Sequence, residues 1–197
     1  SRNVAVTVNK ISPKISASGF EISVGESRNI VVSAPSDYDG TFTYVSQVPS
    51  NASIDTDGKV TGLKGGVLTI IVNSSQTDKY LSDSCSVDVT VNKLNSTITI
   101  NNAVPISVDA EGNVTISATT NGGALSYISN DTSVAVVDLT SGIVTGINGG
   151  TVKITVTSAE TDEYLSASES VIVTVNKIAA TITISNEYPI SVDVGKN

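Results

Sequence analysis

The string VTGLKGG at residues 60–66 returns as VTGINGG at residues 144–150, a shift of 84 residues. Between residues 60–93 and 144–177, 21 of 34 positions are identical, among them Thr77-Asp78, Tyr80-Leu81-Ser82 and a closing VTVNK. Self-similarity at such a period means a series of like units, each packing its own core, rather than one large domain. VTVNK also stands at residues 6–10, and ISVD at 106–109 recurs at 190–193. The register therefore divides the chain into the last strand of a preceding repeat (1–10), whole repeats at 11–94 and 95–178, and the opening strand or strands of a following repeat (179–197). Both ends cut through a repeat, so the chain reads either as a window on a longer array or as a subunit whose terminal strands complete neighbouring subunits.

What each repeat folds into follows from its composition. Val, Ile and Thr number 28, 20 and 23, whereas Leu appears seven times. β-Branched residues suit a pleated, half-buried surface, and helices favour Leu, Ala, Glu and Lys. Apolar and polar residues alternate in VDVTVNK (87–93) and VIVTVNK (171–177), the period of a strand with one buried face. In the second repeat the same reading places strands at 97–101, 104–108, 113–119, 125–129, 134–138, 143–146 and 151–158. Asp57-Gly58, Lys64-Gly65-Gly66, Asn121-Gly122-Gly123 and Asn148-Gly149-Gly150 read as turns supplying the positive φ of tight hairpins. Seven or eight strands in about 84 residues predict a two-sheet sandwich with no chain left for a lid or insertion. The join over residues 91–98 has no Gly/Ser-rich or Pro-rich spacer, which predicts little hinge freedom.

Several kinds of chemistry are excluded. His, Met and Trp are absent and there is one cysteine, so imidazole acid/base catalysis, histidine-based zinc sites and an internal disulfide are all unavailable. No nucleophile, base and orienter can be assembled, and an enzyme is not expected. A net charge of −8 with scattered basic residues argues against nucleic acid, whose binding needs a cationic stripe. No run of about 18 apolar residues suggests a membrane span.

The residues also carry a family resemblance. YISNDTSVAVVD at 127–138, then Gly142-Ile143-Val144-Thr145-Gly146 and Gly149-Gly150 ahead of an alternating strand, resembles the group 2 bacterial immunoglobulin-like (Big) domain. The first repeat matches through Tyr44-Val45-Ser46, Ile54-Asp55, Gly58-Lys59-Val60-Thr61-Gly62 and Gly65-Gly66, so the resemblance covers essentially the whole chain. It implies an all-β fold of tandem Ig-like Greek-key β-sandwiches in an elongated rod. It also implies an extracellular, cell-surface setting in a prokaryotic adhesin, intimin-like stalk, S-layer-associated or phage-surface protein, and it implies no particular ligand.

Candidate sites are few. Asp55 and Asp57 in Asp55-Thr56-Asp57-Gly58 offer a fragment of a calcium loop, but no glutamate stands at the twelfth loop position, and turn acids are the plainer reading. N-x-S/T sequons make Asn51, Asn73, Asn95, Asn113 and Asn130 glycosylation candidates, at about the frequency expected by chance. Tyr80 and Tyr164, in the repeated T-D-x-Y-L element, are expected to plug the end of a sandwich with the hydroxyl bonded to backbone or a turn carboxylate. Tyr44 and Tyr127 are expected to take the core place that Trp occupies in other Ig folds. Lys10, Lys93 and Lys177 read as solvated strand ends. Cys85, replaced by Glu169 in the next repeat, has acidic neighbours and reads as unreactive. The function expected is structural: repeats forming the shaft of an adhesin, stalk or filament, with neighbouring repeats as partners and any surface glycan or receptor engaged elsewhere. The alternatives are a pilin-like subunit polymerising by strand exchange and a glycan- or receptor-binding adhesin module.

Overall fold

A computed structural model of the chain describes residues 2–102, 104–184 and 195. Among the described residues every regular element is a strand. The first set comprises β1 (Ser16–Ala17), β2 (Phe20–Ser23), β3 (Ser27–Asn29), β4 (Val32–Ser33), β5 (Phe42–Ser46), β6 (Ala52–Ile54), β7 (Lys59–Gly62), β8 (Gly66–Ser74) and β9 (Asp83–Asn92). The second comprises β10 (Ile98–Ile100), β11 (Ile106–Asp109), β12 (Asn113–Thr115), β13 (Ala118–Thr120), β14 (Leu125–Ser129), β15 (Ala135–Val137), β16 (Ile143–Gly146), β17 (Gly150–Ser158) and β18 (Ala167–Asn176).

The two sets have one topology. A four-stranded sheet in the order β2-β9-β8-β5 faces a three-stranded sheet β3-β7-β6, and β11-β18-β17-β14 faces β12-β16-β15 in the same way. Short pairs β1-β4 and β10-β13 form a further two-stranded sheet in each set. β2 runs parallel to β9 and β11 parallel to β18, while every other pairing of strands is antiparallel. These are tandem Ig-like β-sandwiches.

Period-2 alternation explains which faces meet. Val87, Val89 and Val91 of β9 are buried, as are Leu68, Ile70 and Val72 of β8, with polar or half-exposed residues between them. They join Ile22, Ile30, Ala52 and Val60 in one core. A separate core gathers Ile106, Ile116, Tyr127, Val144, Ile154 and Val173. Burial of these stiff side chains supplies the main driving force, while the ladders satisfy the backbone.

Two expectations are corrected. The stretch 113–119 is two strands rather than one: β12 pairs with β16, and β13 crosses to pair with β10. Buried Ile116 lies at the crossing, its N–H donated to Gly142 O at 2.9 Å. The double glycines are not all turn formers. Gly58 (φ 77°), Gly66 (φ 148°) and Gly142 (φ 70°) have positive φ, but Gly65, Gly122, Gly123, Gly149 and Gly150 do not. Residues 6–10, expected as the last strand of a preceding repeat, lie in no strand here. Val4, Val6 and Val8, the sequence counterparts of Val87, Val89 and Val91, are 82, 80 and 89% exposed. Residues 179–184 likewise lie in no strand, and the ISVD string at 190–193 falls outside the described residues.

Candidate functional site: the joint between repeats

The feature that best distinguishes this chain from two unconnected sandwiches lies where β9 hands over to the second repeat. Leu94 N–H donates to Glu163 O at 2.8 Å and Leu165 N–H donates to Leu94 O at 2.8 Å, so the linking residue becomes a one-residue parallel bridge beside Tyr164. Lys93 Nζ donates to Thr161 O at 2.6 Å and to Glu160 Oε1 at 2.5 Å. Beside Lys93 the Lys64-Gly65 loop reaches over to the same turn: Gly65 N–H donates to Asp162 O at 2.8 Å and Lys64 Nζ to Asp162 Oδ2 at 2.7 Å. This pairing raises the Lys64 pKa and lowers that of Asp162, each through hydrogen bonding to the other.

The double glycine has a close-packing role in this joint. A Cβ on Gly65 would stand 2.3 Å from Lys93 Cγ, and one on Gly149 would stand 2.4 Å from Lys177 Cγ. Each glycine leaves room for the aliphatic stem of the lysine that closes the last strand, directing the ammonium onward. Lys93 is thus an engaged group with its side chain 23% exposed, not the solvated strand end expected. The arrangement recurs upstream. Ile11 N–H donates to Lys79 O at 3.1 Å, Leu81 N–H to Ile11 O at 2.9 Å, and Lys10 Nζ to Thr77 O at 2.6 Å. The T-D-x-Y-L element is therefore a receptor turn for the linker that enters its repeat. Its threonine hydroxyl holds the turn by accepting from the tyrosine N–H, at 3.1 Å in the first repeat and 2.9 Å in the second.

Tyr80 is buried at the end of the first core and donates its hydroxyl to Asp37 at 2.5 Å. Asp37 also pairs with Lys79. Its pKa is lowered by the Lys79 bond first and the Tyr80 bond second, and that of Tyr80 is raised chiefly by the bond to Asp37. Tyr38 packs edge-on against Tyr80 with ring centroids 5.6 Å apart. Tyr127 is buried, whereas Tyr44 is half-exposed with its ring over Gly58. Burial, followed by the charges of Asp57 and Asp55, raises the Tyr44 pKa.

Asp55 is occupied as a turn acid, its Oδ1 accepting from the N–H groups of Asp57 and Lys59 at 3.0 and 2.9 Å. Asp138, its counterpart, accepts from Ser141 N–H and hydroxyl at 2.7 and 2.8 Å and from Thr140 N–H and hydroxyl at 3.1 Å each. These bonds, those of Ser141 foremost, lower its pKa to about 2. Among the described residues no group of three or more His, Cys, Asp or Glu gathers as a metal site. Of the sequon asparagines, Asn95, Asn113 and Asn130 are exposed, while Asn51 and Asn73 are half-buried. Asn113 accepts from the Thr145 hydroxyl at 2.6 Å and Asn130 from Lys153 N–H at 2.8 Å. Cys85 is half-buried against the first core, and burial followed by the charge of Asp83 raises its thiol pKa.

Sequence reasoning missed the joint as a bonded unit. It also missed Ser158, fully buried in the second repeat, which accepts from the Thr120 hydroxyl at 3.1 Å and donates to Gly123 O at 3.3 Å. Among the described residues no helix is long and apolar enough to cross a membrane.

Residues 115–160, within the second repeat, match the family of the intimin immunoglobulin-like domain. No curated protein matches the chain. Among solved structures, domains 4 and 5 of the S-layer protein SbsC are similar at 19% identity, covering 75% of this chain and 82% of that one with a TM-score of 0.35. The C-terminal 282-residue intimin fragment, solved with the translocated intimin receptor's intimin-binding domain, is 19% identical over 87% of this chain and 65% of its own, TM-score 0.34. The insect immune protein hemolin is 15% identical over 90% of this chain and 49% of its own, TM-score 0.40.

Proposed function

We propose that this chain is a structural, non-catalytic segment of a bacterial cell-surface protein, its repeats at 11–94 and 95–178 forming part of the shaft of an adhesin, stalk or extracellular filament. The observation that carries the reading is the joint. A linker clamped as a β-bridge, a lysine driven into the next repeat's receptor turn and a second lysine bonded to the same turn resist bending. The intimin Ig-like match over residues 115–160 supports a surface setting. The exposed Val4, Val6 and Val8 fit the last strand of a further repeat, since their counterparts are buried in β9. Polymerisation by strand exchange is the weaker reading, because the place between β2 and β8 is already filled by β9. A glycan- or receptor-binding role has less support, as Tyr80 and Tyr127 are committed to the cores.

Small-angle scattering tests the proposal. The 197-residue chain is expected to scatter as an elongated particle with one narrow pair-distance distribution, and a chain lengthened by one 84-residue repeat should gain a constant increment in its largest dimension. A folded-back or broadly distributed particle would rule out the shaft.

A further inference from the structure

The two repeats differ in one loop, and the difference exposes an edge. After its fourth-position aspartate the second repeat runs Asp138-Leu139-Thr140-Ser141-Gly142, whereas the first runs Asp55-Thr56-Asp57-Gly58, one residue shorter. In the second repeat Leu139 O accepts the N–H of Tyr127 at 2.9 Å, closing the edge of β14. Tyr44 holds the same register, opposite Val72 as Tyr127 is opposite Val156. Its N–H and C=O therefore also point away from the sheet. Among the described residues Tyr44 N–H makes no counterpart of the Tyr127–Leu139 bond. Beside this edge the first repeat has a groove of about 240 Å³ lined by Phe42, Thr43, Tyr44, Ile54, Asp55 and Thr56.

This edge lacks the usual protection. Exposed edge strands are normally blunted by charge, proline or a covering loop. β5 contains neither charge nor proline, and residues 41–54 hold no Asp, Glu, Lys or Arg although the chain as a whole carries −8. Val45, on the outer face of β5, is 51% exposed.

We propose that β5 of the first repeat is a homophilic docking edge that pairs antiparallel with β5 of a second copy, centred on Tyr44. A second copy is the occupant the edge fits. An outward N–H and C=O on Tyr44 are self-complementary about a two-fold axis: each Tyr44 donates to the other's carbonyl, and Phe42 lies opposite Ser46. Side chains of directly opposed residues share a face, so the second Tyr44 ring lies over this groove. Within the paired strands themselves no charged side chain opposes another, the nearest acids being Asp55 and Asp57 at the groove. On the outer face, Thr43 of one copy stands opposite Val45 of the other. The association joins chains side by side, which the end-to-end joint does not do, and it does not depend on the shaft reading.

Sedimentation of the 197-residue chain across a concentration series, in low and high salt, tests this. The expected result is a shift from the 20.2 kDa monomer to a dimer, favoured by salt that screens the net charge. Thr43→Lys with Val45→Lys sets lysines opposite each other and is expected to keep the chain monomeric. Thr43→Lys with Val45→Glu sets opposite charges across both positions and is expected to restore the dimer. Inserting Leu between Asp55 and Thr56, copying the second repeat, is expected to abolish it. Both residues exchanged in the paired variants face solvent, and circular dichroism checks that each variant is folded. A chain monomeric at every concentration and salt overturns the proposal, as does a dimer that survives the double-lysine change or fails to return in the opposite-charge variant.

Discussion

Replacing Lys93 by Met retains most of the stem against Gly65 while deleting the ammonium, and so asks how much the joint depends on one charged bond. In the structure that ammonium donates to Thr161 O at 2.6 Å and to Glu160 at 2.5 Å, with the glutamate side chain 55% exposed. A hydrogen bond from a charged group contributes about 1.5–3 kcal/mol. The exposed ion pair adds no more than about 0.2–1 kcal/mol. The loss to the closed joint is then about 2–4 kcal/mol, raising the ratio of open to closed joints about 30- to 700-fold. Spin labels at exposed Lys59 and Lys153, in a Cys85→Ser background, would report this by pulsed electron resonance. The parent should give one narrow interlabel distance, Lys93→Met a broader one, and Lys93→Met with Lys64→Ala a broader one still. A chelator should leave the parent's distribution unchanged. Equal widths in all three proteins would refute the reasoning, since the ammonium would then have no part in holding the repeats.

Other outcomes follow from single residues. Ile154→Ala empties a fully buried position in the second core and should cost about 2–5 kcal/mol in urea unfolding; a loss below 1 kcal/mol would mean that the site collapses freely. Gly142→Ala forces a side chain into φ 70° with its Cβ 2.8 Å from Ile116 O and 2.9 Å from the Tyr127 ring, and should lower stability by about 1–3 kcal/mol, visible as a fall in the melting temperature. Ser158→Ala strands the Thr120 hydroxyl and Gly123 carbonyl at a cost of about 1–3 kcal/mol, measured in the same way. Asp138 titrates at about 2 when folded, below its ordinary 3.8. The stability it contributes is therefore full above the ordinary value and lost as pH falls through 3.8 toward 2. Urea midpoints between pH 5 and 2 should fall more steeply for the parent than for Asp138→Asn, and parallel curves would contradict the turn-capping role.

Much of the fold was legible because the repeat supplied two versions of one solution. Strand β14 and strand β16 fall where alternation and turn residues place them, at 125–129 and 143–146. The crossing at Ile116 was not legible: 113–119 alternates without a break, and only the pairing of its two halves with different strands divides it. The joint was missed for another reason. Gly65 and Lys93 lie far apart in sequence, and a double glycine beside a turn reads as conformational need, not as space for another strand's lysine. A signal was present, since the Gly-Gly pair and the closing Asn-Lys recur together at one fixed separation in both repeats. The open β5 edge also left a trace: counted on from Asp55, Asp57 aligns with Thr140, but counted back from Gly58 it aligns with Ser141. That ambiguity marks the single-residue difference that Leu139 makes.

The parallel pairing of β2 with β9, and of β11 with β18, bears on what happens when the chain is pulled. Tension enters a repeat from its N-terminal side and leaves through the C-terminal end of β9 or β18, drawing two parallel neighbours in opposite directions along their length. Residues 20–23 and 106–109 are the stretches that must slide. Because parallel ladder bonds are slanted but lie across the strands, that load falls on them in shear, shared by the whole ladder at once instead of peeling it bond by bond. Each repeat is thus built to stay shut under traction until its short ladder fails as a unit, and the yield point of a long series is set by its weakest ladder, whatever its length.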